Sequence, residues 1–482
     1  MKKTFLLSCL MLAAMPVMAA YTGHVYVDKN KNGVFDQSEK PLAGIKVSDG
    51  LNVVETAADG SFTLPGHERE RFIFITTPSG YKTFNRHYHK IEKKQSGYDF
   101  GLIPYSGRIR KDGSHRYIHI TDTEIFNTEN HADWVNNVHD YARNEQAAFI
   151  IHTGDICYEK GLKAHIKLMN TENMDCPVFY CIGNHDLVKG KYGEELFESI
   201  YGPVYYSFDA GNVHYVVTPM PGGDHAPGYT SDDVCRWLKN DLTHIRPGTP
   251  VVVFNHDLLT YEDTFIFKSK NAGSINLNEY NLKAWVYGHW HINYMKKQGD
   301  VYSVCTSSLD KGGIDHSTTA FRVMHVDSKG DFTSELRYTY LDKNICIASP
   351  AGVMASGVLP VAVNVYSSVS PVREVLYTCL ADGKPVLKNK RLLQSTDWSW
   401  NGELPLSHKY VGKELTLRVT ARFNNGEIAE AESNFICRTE KAVPLFSADW
   451  DNLSGNAKHS APVSAPLNLS LIHISEPTRH AQ

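Results

Sequence analysis

The sequence has no large charge imbalance and no basic tract. Its 49 Lys and Arg residues are nearly matched by 53 Asp and Glu residues, which gives a formal net charge of -4. A protein that binds nucleic acid usually concentrates positive charge on one surface. We therefore do not expect nucleic acid as a structural partner. The composition does not define an oligomeric state.

Beyond its N-terminus the sequence also has no long hydrophobic run. Residues 1–19 combine two lysines, a short apolar stretch and small residues before the expected cleavage point, as is typical of a signal peptide. The apolar stretch is short for a membrane span and contains Pro16. We therefore predict an exported protein, periplasmic or on the cell surface or secreted, with no transmembrane segment in the mature chain.

Closely spaced cysteines are absent as well. One of the nine cysteines lies in the signal segment, and the remaining eight include no CxxC motif. An exported protein can oxidise its cysteines, but this spacing does not define a pairing. Disulfides and buried free thiols both remain open.

The sequence does contain five apolar runs that each end in residues able to bind a metal ion. Such runs are typical of buried strands in an α/β sheet, and sites in these sheets lie beyond the carboxyl ends of the strands. We therefore expect the polar residues that follow the five runs to line one rim. The runs are Tyr117–Asp122, Phe149–Asp155, Pro177–Asp186, Val251–His256 and Ala284–His291.

The order of these motifs resembles that of the calcineurin-like metallophosphoesterases. The motifs are Asp-x-x, Gly-Asp, Gly-Asn-His-Asp, Asn-His and Gly-His-x-His, within residues 113–342. The resemblance implies an α/β fold in which the catalytic domain has four layers, α/β/β/α. In this chain, two β-sandwich domains would flank that domain. It also implies metal-dependent hydrolysis of phosphate mono- or diesters by a two-metal centre with a bridging hydroxide.

The resemblance also implies the role of each residue. His185 would donate a proton to the leaving group, oriented by Asp186. Two divalent ions, drawn from Mn, Fe, Mg or Zn, would share Asp155. The first would take Asp122, Asp155 and His291, and the second Asp155, Asn184, His256 and His289.

Two positions depart from the family pattern. Glu124 stands where the family has a His ligand, in Asp122-Thr-Glu124. We predict that Glu124 binds the first ion or a water on it, and a solvated or Arg-paired loop residue is the alternative. Tyr158 stands where many relatives have an Asp, in Gly154-Asp155-Ile-Cys-Tyr158, so the usual partner of the catalytic His is missing.

The region 20–104 has short alternating strands and turn signals, which predicts a β-sandwich. Within it, oxygen-bearing side chains are spaced as in a calcium loop, and we predict a structural calcium ion; a polar hairpin without an ion is the alternative. The candidate ligands are Asp28, Asn30, Asn32, Asp36 and Glu39.

The remaining segments complete the predicted organisation. The Gly- and Pro-rich loop 221–229 follows a strand, so His225 and Tyr229 are candidate substrate contacts. Alternating strands over 346–447 predict a second β-sandwich. Residues 448–482 are interpreted as a linker and an artefactual tail. The alternative to an enzyme is an exported surface-binding or scaffold protein with an inactive phosphoesterase domain.

Overall fold

The computed structural model describes residues 20–95, 97–341 and 343–439. They form two compact units, the first containing residues through Val135 together with Gln146–Arg337, and the second Asn136–Glu145 together with residues from Tyr338 onward. The predicted signal peptide and the predicted tail 448–482 lie outside the described residues. The predicted N-terminal and catalytic domains share the first unit.

The N-terminal part of the first unit consists of short strands in two sheets. One has the order β2-β1-β9-β7, with β5 paired to β1, and the other the order β4-β3-β6-β8. Apolar residues of both sheets form a common core. The strands are β1 (Tyr21–Val27), β2 (Lys40–Pro41), β3 (Lys46–Ser48), β4 (Val53–Glu55), β5 (Ser61–Leu64), β6 (Phe72–Ile75), β7 (Tyr81–Thr83), β8 (Tyr88–Lys90) and β9 (Phe100–Pro104).

The remainder of the first unit contains two larger sheets and a two-stranded ribbon. The larger sheets have the orders β12-β11-β10-β21-β22 and β13-β14-β15-β18-β20-β19, and β16 pairs with β17. The strands are β10 (His115–Ile120), β11 (Phe149–His152), β12 (Val178–Tyr180), β13 (Tyr206–Ala210), β14 (Val213–Val217), β15 (Val251–Phe254), β16 (Ile266–Lys268), β17 (Ser274–Asn276), β18 (Leu282–Tyr287), β19 (Tyr294–Gln298), β20 (Val301–Cys305), β21 (Ala320–Val326) and β22 (Phe332–Tyr338).

All five predicted apolar runs are strands, but they do not share one sheet. Strands β10, β11 and β12 are parallel neighbours in the first large sheet, whereas β15 and β18 are parallel neighbours in the second. Side chains of both sheets belong to one hydrophobic core, in which the Tyr117 ring stacks on Phe149 at 4.7 Å and meets Phe254 edge-on at 5.7 Å. The expectation of a single sheet rim was wrong, because apolar runs indicate burial but not which strands pair.

Four helices accompany these sheets: α1 (Ala132–Asn144), α2 (Tyr158–Leu168), α3 (Glu195–Tyr201) and α4 (Ser231–Thr243). Helix α1 is the predicted crossover between the parallel strands β10 and β11. Helix α4 begins with a capping box, in which the Thr230 hydroxyl accepts from the Asp233 N–H and the Asp233 carboxylate accepts from the Thr230 N–H. Of the residues described, none belongs to a helix long and apolar enough to cross a membrane.

Strands of the second unit form two sheets around their own core. Their orders are β23-β25-β29-β28 and β24-β31-β30-β26-β27, and apolar residues of both pack together. The strands are β23 (Asn344–Ser349), β24 (Gly352–Ala355), β25 (Val358–Tyr366), β26 (Val372–Ala381), β27 (Lys384–Arg391), β28 (Leu393–Gln394), β29 (Ser399–Pro405), β30 (Glu414–Phe423) and β31 (Ile428–Arg438). Each described cysteine is a free thiol, and all but Cys346 are buried.

Candidate metal centre

Residues that follow strands of both large sheets meet at one place. The His256 Nε2 atom, after β15, lies 3.1 Å from Asp155 Oδ2, after β11, and 3.9 Å from Asp122 Oδ1, after β10. Ligand atoms of Asp155, His256 and His289 all lie within 4.8 Å of one another. The His291 Nε2 atom is 3.3 Å from Asp122 Oδ1. The structure therefore brings together residues of the two predicted ligand sets.

Close backbone approach explains two of the glycines in these motifs. A Cβ atom at Gly183 would lie 2.2 Å from Asp155 Oδ1, and one at Gly288 would lie 1.9 Å from the Thr121 hydroxyl oxygen. Any larger residue would therefore push the carboxylate loops apart. These contacts explain why Gly precedes Asn184 and His289 in the sequence motifs.

Several of the site residues have a left-handed backbone. The φ angles are 50° at Asp122, 54° at Asp155, 63° at His289 and 51° at His291. This conformation is uncommon for residues other than glycine, although Asp, Asn and His adopt it more readily than most. Because such conformations cost free energy and cluster at functional sites, their concentration at the strand ends points to this region.

Charge at the centre is concentrated on the pair of Asp155 and His256. Burial lowers the pKa of His256, but the Asp155 carboxylate outweighs it and raises that pKa to about 9. Burial raises the pKa of Asp155, and the His256 charge together with the His185 N–H bond outweighs it, so the pKa lies below its ordinary value. The carboxylate therefore stabilises positive charge at this point, which a metal cation would also supply.

Three buried polar atoms at the centre find no hydrogen-bond partner within the described part of the chain: Asp122 Oδ1, Asn184 Oδ1 and His256 Nε2. Unpaired buried groups are rare because each costs free energy. One carboxylate oxygen, one amide oxygen and one imidazole nitrogen suit a divalent cation. The other nitrogen of His256, Nδ1, lies 2.7 Å from the Thr153 carbonyl oxygen, which is the usual second contact of a metal-binding His. These residues fit a divalent metal ion.

Glu124 lies at the edge of this group. Its Oε1 atom is 3.5 Å from His291 Nε2, and its other oxygen pairs with Lys311. A ligand oxygen of Glu124 lies within 4.8 Å of ligand atoms of Asp155 and Cys157. The Glu124 carboxylate therefore lies beside the centre and pairs with a lysine, where the alternative had named an arginine, and its binding to an ion stays a prediction.

His185 is held by an aspartate that the sequence did not indicate. Its Nδ1 atom lies 2.9 Å from Asp224 Oδ2, and its backbone N–H donates to Asp155 Oδ1 at 3.0 Å. Partial burial lowers the pKa of His185, but the bond to Asp224 and the charge of Asp155 outweigh it and raise the pKa above the ordinary value. The imidazole is therefore favoured in its protonated, proton-donating form.

Asp186 does not orient the His185 ring, contrary to expectation. Its carboxylate is buried and accepts hydrogen bonds from the Gly183 N–H at 2.9 Å and the Cys157 N–H at 2.8 Å. Burial raises the pKa of Asp186 to about 6. Asp186 therefore fixes the turn that carries Asn184 and His185, because both of its oxygens are bound to backbone.

The loop 221–229 reaches the site through Asp224, which contacts His185. Of the two residues predicted as substrate contacts, Tyr229 is buried, and His225 stays a prediction. Tyr229 is buried and its hydroxyl donates to the Met220 carbonyl oxygen at 2.5 Å, so it packs the base of the loop. His225 is exposed. The Gly- and Pro-rich composition marked a loop that contacts His185, and its role towards a substrate stays a prediction.

The N-terminal strands help to hold this loop. Arg71 pairs with Glu194 at 2.7 Å and with Glu198 at 2.8 Å. Glu194 in turn accepts from the Gly228 N–H at 2.8 Å. Asp224 therefore lies on a loop whose far end is fixed by a buried ion-pair network.

The predicted calcium-loop residues also lie together. The Asp28 carboxylate accepts from the Gly33 N–H at 2.9 Å, and the Asn30 amide donates to Asp36 Oδ2 at 2.7 Å. Glu39 accepts from the Lys29 N–H at 2.9 Å, and Asn32 donates to Asp36 at 3.2 Å. Oxygen atoms of this loop are thus bonded within the loop itself.

A cluster of carboxylate, amide and imidazole groups at the ends of parallel strands is typical of metal-dependent hydrolases. The sequence comparison agrees. Residues 115–293 match the family model described as "Calcineurin-like phosphoesterase", and residues 29–104 match that described as "N terminal of Calcineurin-like phosphoesterase". The chain therefore contains a calcineurin-like phosphoesterase domain, preceded by the N-terminal domain of that family.

Individual relatives are distant. Purple acid phosphatase 13 of Arabidopsis thaliana is 26% identical over 215 residues, which cover 42% of this chain and 36% of that protein. The chain thus spans about a third of the length of this curated relative.

Solved structures are also only distantly similar. A predicted phosphoesterase from Streptococcus pneumoniae has 10% identity and a TM-score of 0.22, covering 47% of this chain and 98% of the other. Vps29 with zinc from Entamoeba histolytica has 11% identity and a TM-score of 0.24, covering 46% and 97%. The family assignment therefore rests on the sequence models.

Proposed function

We propose that this chain hydrolyses phosphate mono- or diesters with the aid of two divalent metal ions. The observation that carries the proposal is the set of three buried atoms without a hydrogen-bond partner in the described chain, on Asp122, Asn184 and His256. They lie near the His185 imidazole, whose pKa is raised above its ordinary value. The family model supports phosphoester hydrolysis, and the Arabidopsis relative is by its name a phosphatase.

One ion would be held by Asp122, Asp155 and His291, with Glu124 beside it, and the other by Asp155, Asn184, His256 and His289. When bound, such ions hold phosphate oxygens and lower the pKa of a water molecule so that it can act as a nucleophile. The ion identities are open among manganese, iron, magnesium and zinc.

The chain's own groups would handle the leaving group. His185, protonated, would donate its proton to the departing ester oxygen. Asp224 would hold the imidazole through Nδ1, which leaves Nε2 free to face the substrate. Asp186 would keep the turn in place through its two backbone hydrogen bonds.

Two further expectations belong to the same proposal. We infer a four-layer α/β/β/α arrangement, supported by two sheets with a common core and by helices that follow strands of each. We also propose export to the periplasm, the cell surface or the medium, on the basis of the signal-like residues 1–19.

The test is turnover by the full chain loaded with each divalent metal in turn, on phosphate mono- and diesters. We expect hydrolysis with at least one ion, with loss of activity on chelation and recovery when the ion is restored. A protein that binds the ions but hydrolyses neither ester class would contradict the proposal and favour a scaffold or surface-binding role. Comparing the rates on the two ester classes would decide between monoesterase and diesterase.

A further inference from the structure

The exposed ring of Tyr158 lies beside His185, and the exposed ring of Phe126 lies beside Tyr158. The Tyr158 ring centroid is 5.3 Å from that of the His185 imidazole, and the Phe126 ring stacks on Tyr158 at 6.3 Å with an angle of 16° between the planes. Phe126 is 55% exposed and Tyr158 is 43% exposed. Tyr158 therefore has free surface next to the proposed proton donor, and Phe126 adds a second exposed ring beside it.

The positions of these rings are set by the metal-site segments. Phe126 lies two residues after Glu124, and Tyr158 lies three residues after Asp155. Tyr158 and its neighbour Cys157 have left-handed φ angles of 55° and 76°. Such backbone persists only where the surroundings hold it in place, and it is concentrated at functional sites.

The exposure of the rings is not explained by packing in the described chain. Phe149, Phe179 and other rings of the same unit are buried in its core, whereas these two are each about half exposed to solvent. Orientation of His185 does not need Tyr158 either, because Asp224 already contacts Nδ1. The pair is thus available to contact something that arrives at the site.

We propose that Phe126 and Tyr158 form a subsite for the leaving group of the substrate. This inference rests on the proposed function, in which His185 protonates the leaving oxygen. A group attached through that oxygen would lie against the ring next to His185. Exposed aromatic faces bind flat ring faces, either aromatic rings or the C–H face of a sugar ring, by stacking and apolar contact. The substrate class is therefore a phosphate ester of a ring-bearing alcohol.

The size of the expected effect follows from ring stacking. An aromatic contact contributes about 3- to 10-fold in affinity beyond simple burial of area. Straight-chain esters lack a flat face, so the subsite should add little to their affinity. The subsite would therefore act through the ratio of affinities for ring-bearing and straight-chain ligands.

The experiment measures phosphonate binding to the manganese-loaded full chain by calorimetry. The probes are benzylphosphonate, a pyranosylmethyl phosphonate and n-butylphosphonate, which cannot be hydrolysed. We expect Phe126→Ala to weaken binding of one or both ring-bearing probes by about 3- to 10-fold and to leave n-butylphosphonate unchanged. Loss for the benzyl probe alone assigns an aromatic leaving group, and loss for both assigns any flat ring.

Two matched variants complete the design. Tyr158→Phe keeps the ring and should preserve the ratio of affinities. Tyr261 is 75% exposed and stacks on Trp290 at 5.9 Å, so Tyr261→Ala removes an equally exposed ring whose contact is with Trp290. Tyr261→Ala should leave all three affinities unchanged.

Failure of this inference differs from failure of the proposed function. An unchanged affinity ratio in Phe126→Ala would overturn the subsite, even if the protein hydrolyses every ester offered. A protein that hydrolyses no ester, while Phe126→Ala still selectively weakens the ring-bearing probes, would overturn the proposed function and leave a ring-binding site that serves no leaving group.

Discussion

Two oxygen-rich sites in the first unit have the same kind of ligand atoms but different hydrogen bonding. In the loop from Asp28 to Glu39, the carboxylates accept N–H groups of the loop itself, such as that of Gly33 at 2.9 Å. At the strand ends, Asp122 Oδ1 and Asn184 Oδ1 are buried and accept no hydrogen bond within the described chain, although Asp122 Oδ1 lies 3.3 Å from His291 Nε2. Clustered ligand atoms that lack hydrogen-bond partners are therefore a stronger sign of an ion site than clustered ligand atoms that bond to one another.

The physical reason is the state of each site without an ion. The loop can close on itself as a hydrogen-bonded turn, so an ion must displace bonds that each contribute roughly 0.5–1.5 kcal/mol. At the strand ends, Asp122 Oδ1, Asn184 Oδ1 and His256 Nε2 make no hydrogen bond within the described chain, so an ion there would displace no such bond at these atoms. We therefore expect function to depend strongly on the strand-end site and weakly on the loop.

The largest effect is expected from Asp155→Asn. Because Asp155 would be shared by both ions, loss of its charge should remove at least one ion and lower turnover by roughly 1,000-fold or more, since a metal contributes several kcal/mol to transition-state stabilisation. Metal analysis and turnover on the same sample measure both effects. Asp28→Asn, the same change in the other site, should leave turnover near that of the parent, and equal losses in the two variants would remove the contrast between the sites.

The next largest effect is expected from His185→Ala. Loss of a general acid typically costs 100- to 10,000-fold in turnover. The bound metals should remain, because His185 is not among the proposed ligands. The loss should be smaller for esters with acidic leaving groups, which need no proton. A loss that does not vary with the leaving group would show that His185 does not donate the proton.

A smaller effect is expected from Asp224→Asn. The amide can still contact Nδ1 of His185 but lacks the charge that favours the imidazolium, so we expect kcat to fall by roughly 10-fold with KM little changed. The measurement is kcat on esters of graded leaving-group acidity. The decrease should be confined to esters with poor leaving groups. Asp186→Asn should instead lower thermal stability, since its carboxylate binds two backbone N–H groups.

Glu124→His tests the charge at the edge of the metal centre. Replacing a carboxylate by a neutral imidazole favours zinc over harder ions, and we expect the ratio of zinc to manganese affinity to rise by about 10-fold. Since Glu124 also pairs with Lys311, Lys311→Met serves as the control that removes only the pair. If both variants show the parent's metal ranking, Glu124 lies outside the ion's coordination.

The sequence predicted the strands and the segments that meet, because short apolar runs and the polar residues after them are local features. All five runs are strands, and helix α1 crosses between β10 and β11 as expected. The division of these strands between two sheets was missed, since pairing depends on contacts between distant residues. Asp224 was missed for the same reason, as it lies 39 residues from His185 in an irregular loop.

Residue type alone misled at two further positions. Asp186 is next to His185 in sequence, but its carboxylate is bound to the backbone of Gly183 and Cys157. Tyr229 was predicted as a substrate contact, but its ring is buried. In both cases the local backbone conformation determines where the side chain points, and neither residue spacing nor composition predicts that conformation.

The smallest effect is expected from calcium at the loop containing Asp28 and Asp36. A ligand that binds only the folded state stabilises it by about 2.7 kcal/mol at 100 times its Kd, which corresponds to a rise in Tm of roughly 4 °C for a unit of this size. The Kd for calcium includes the cost of breaking the loop's own hydrogen bonds, so a higher calcium concentration is needed to reach this value than in a loop without such bonds. Thermal unfolding of the full chain carrying Asp155→Asn, with and without calcium, measures this rise in Tm. The Asp155→Asn change weakens the proposed catalytic site, so calcium binding there contributes less to the rise.

Asp36→Ser should abolish the rise in Tm. Asp59→Ser should retain it, because Asp59 is an exposed aspartate outside the loop that accepts from the Ser61 N–H at 3.0 Å. A Tm that ignores calcium and chelator alike would establish the loop as a hydrogen-bonded turn without an ion.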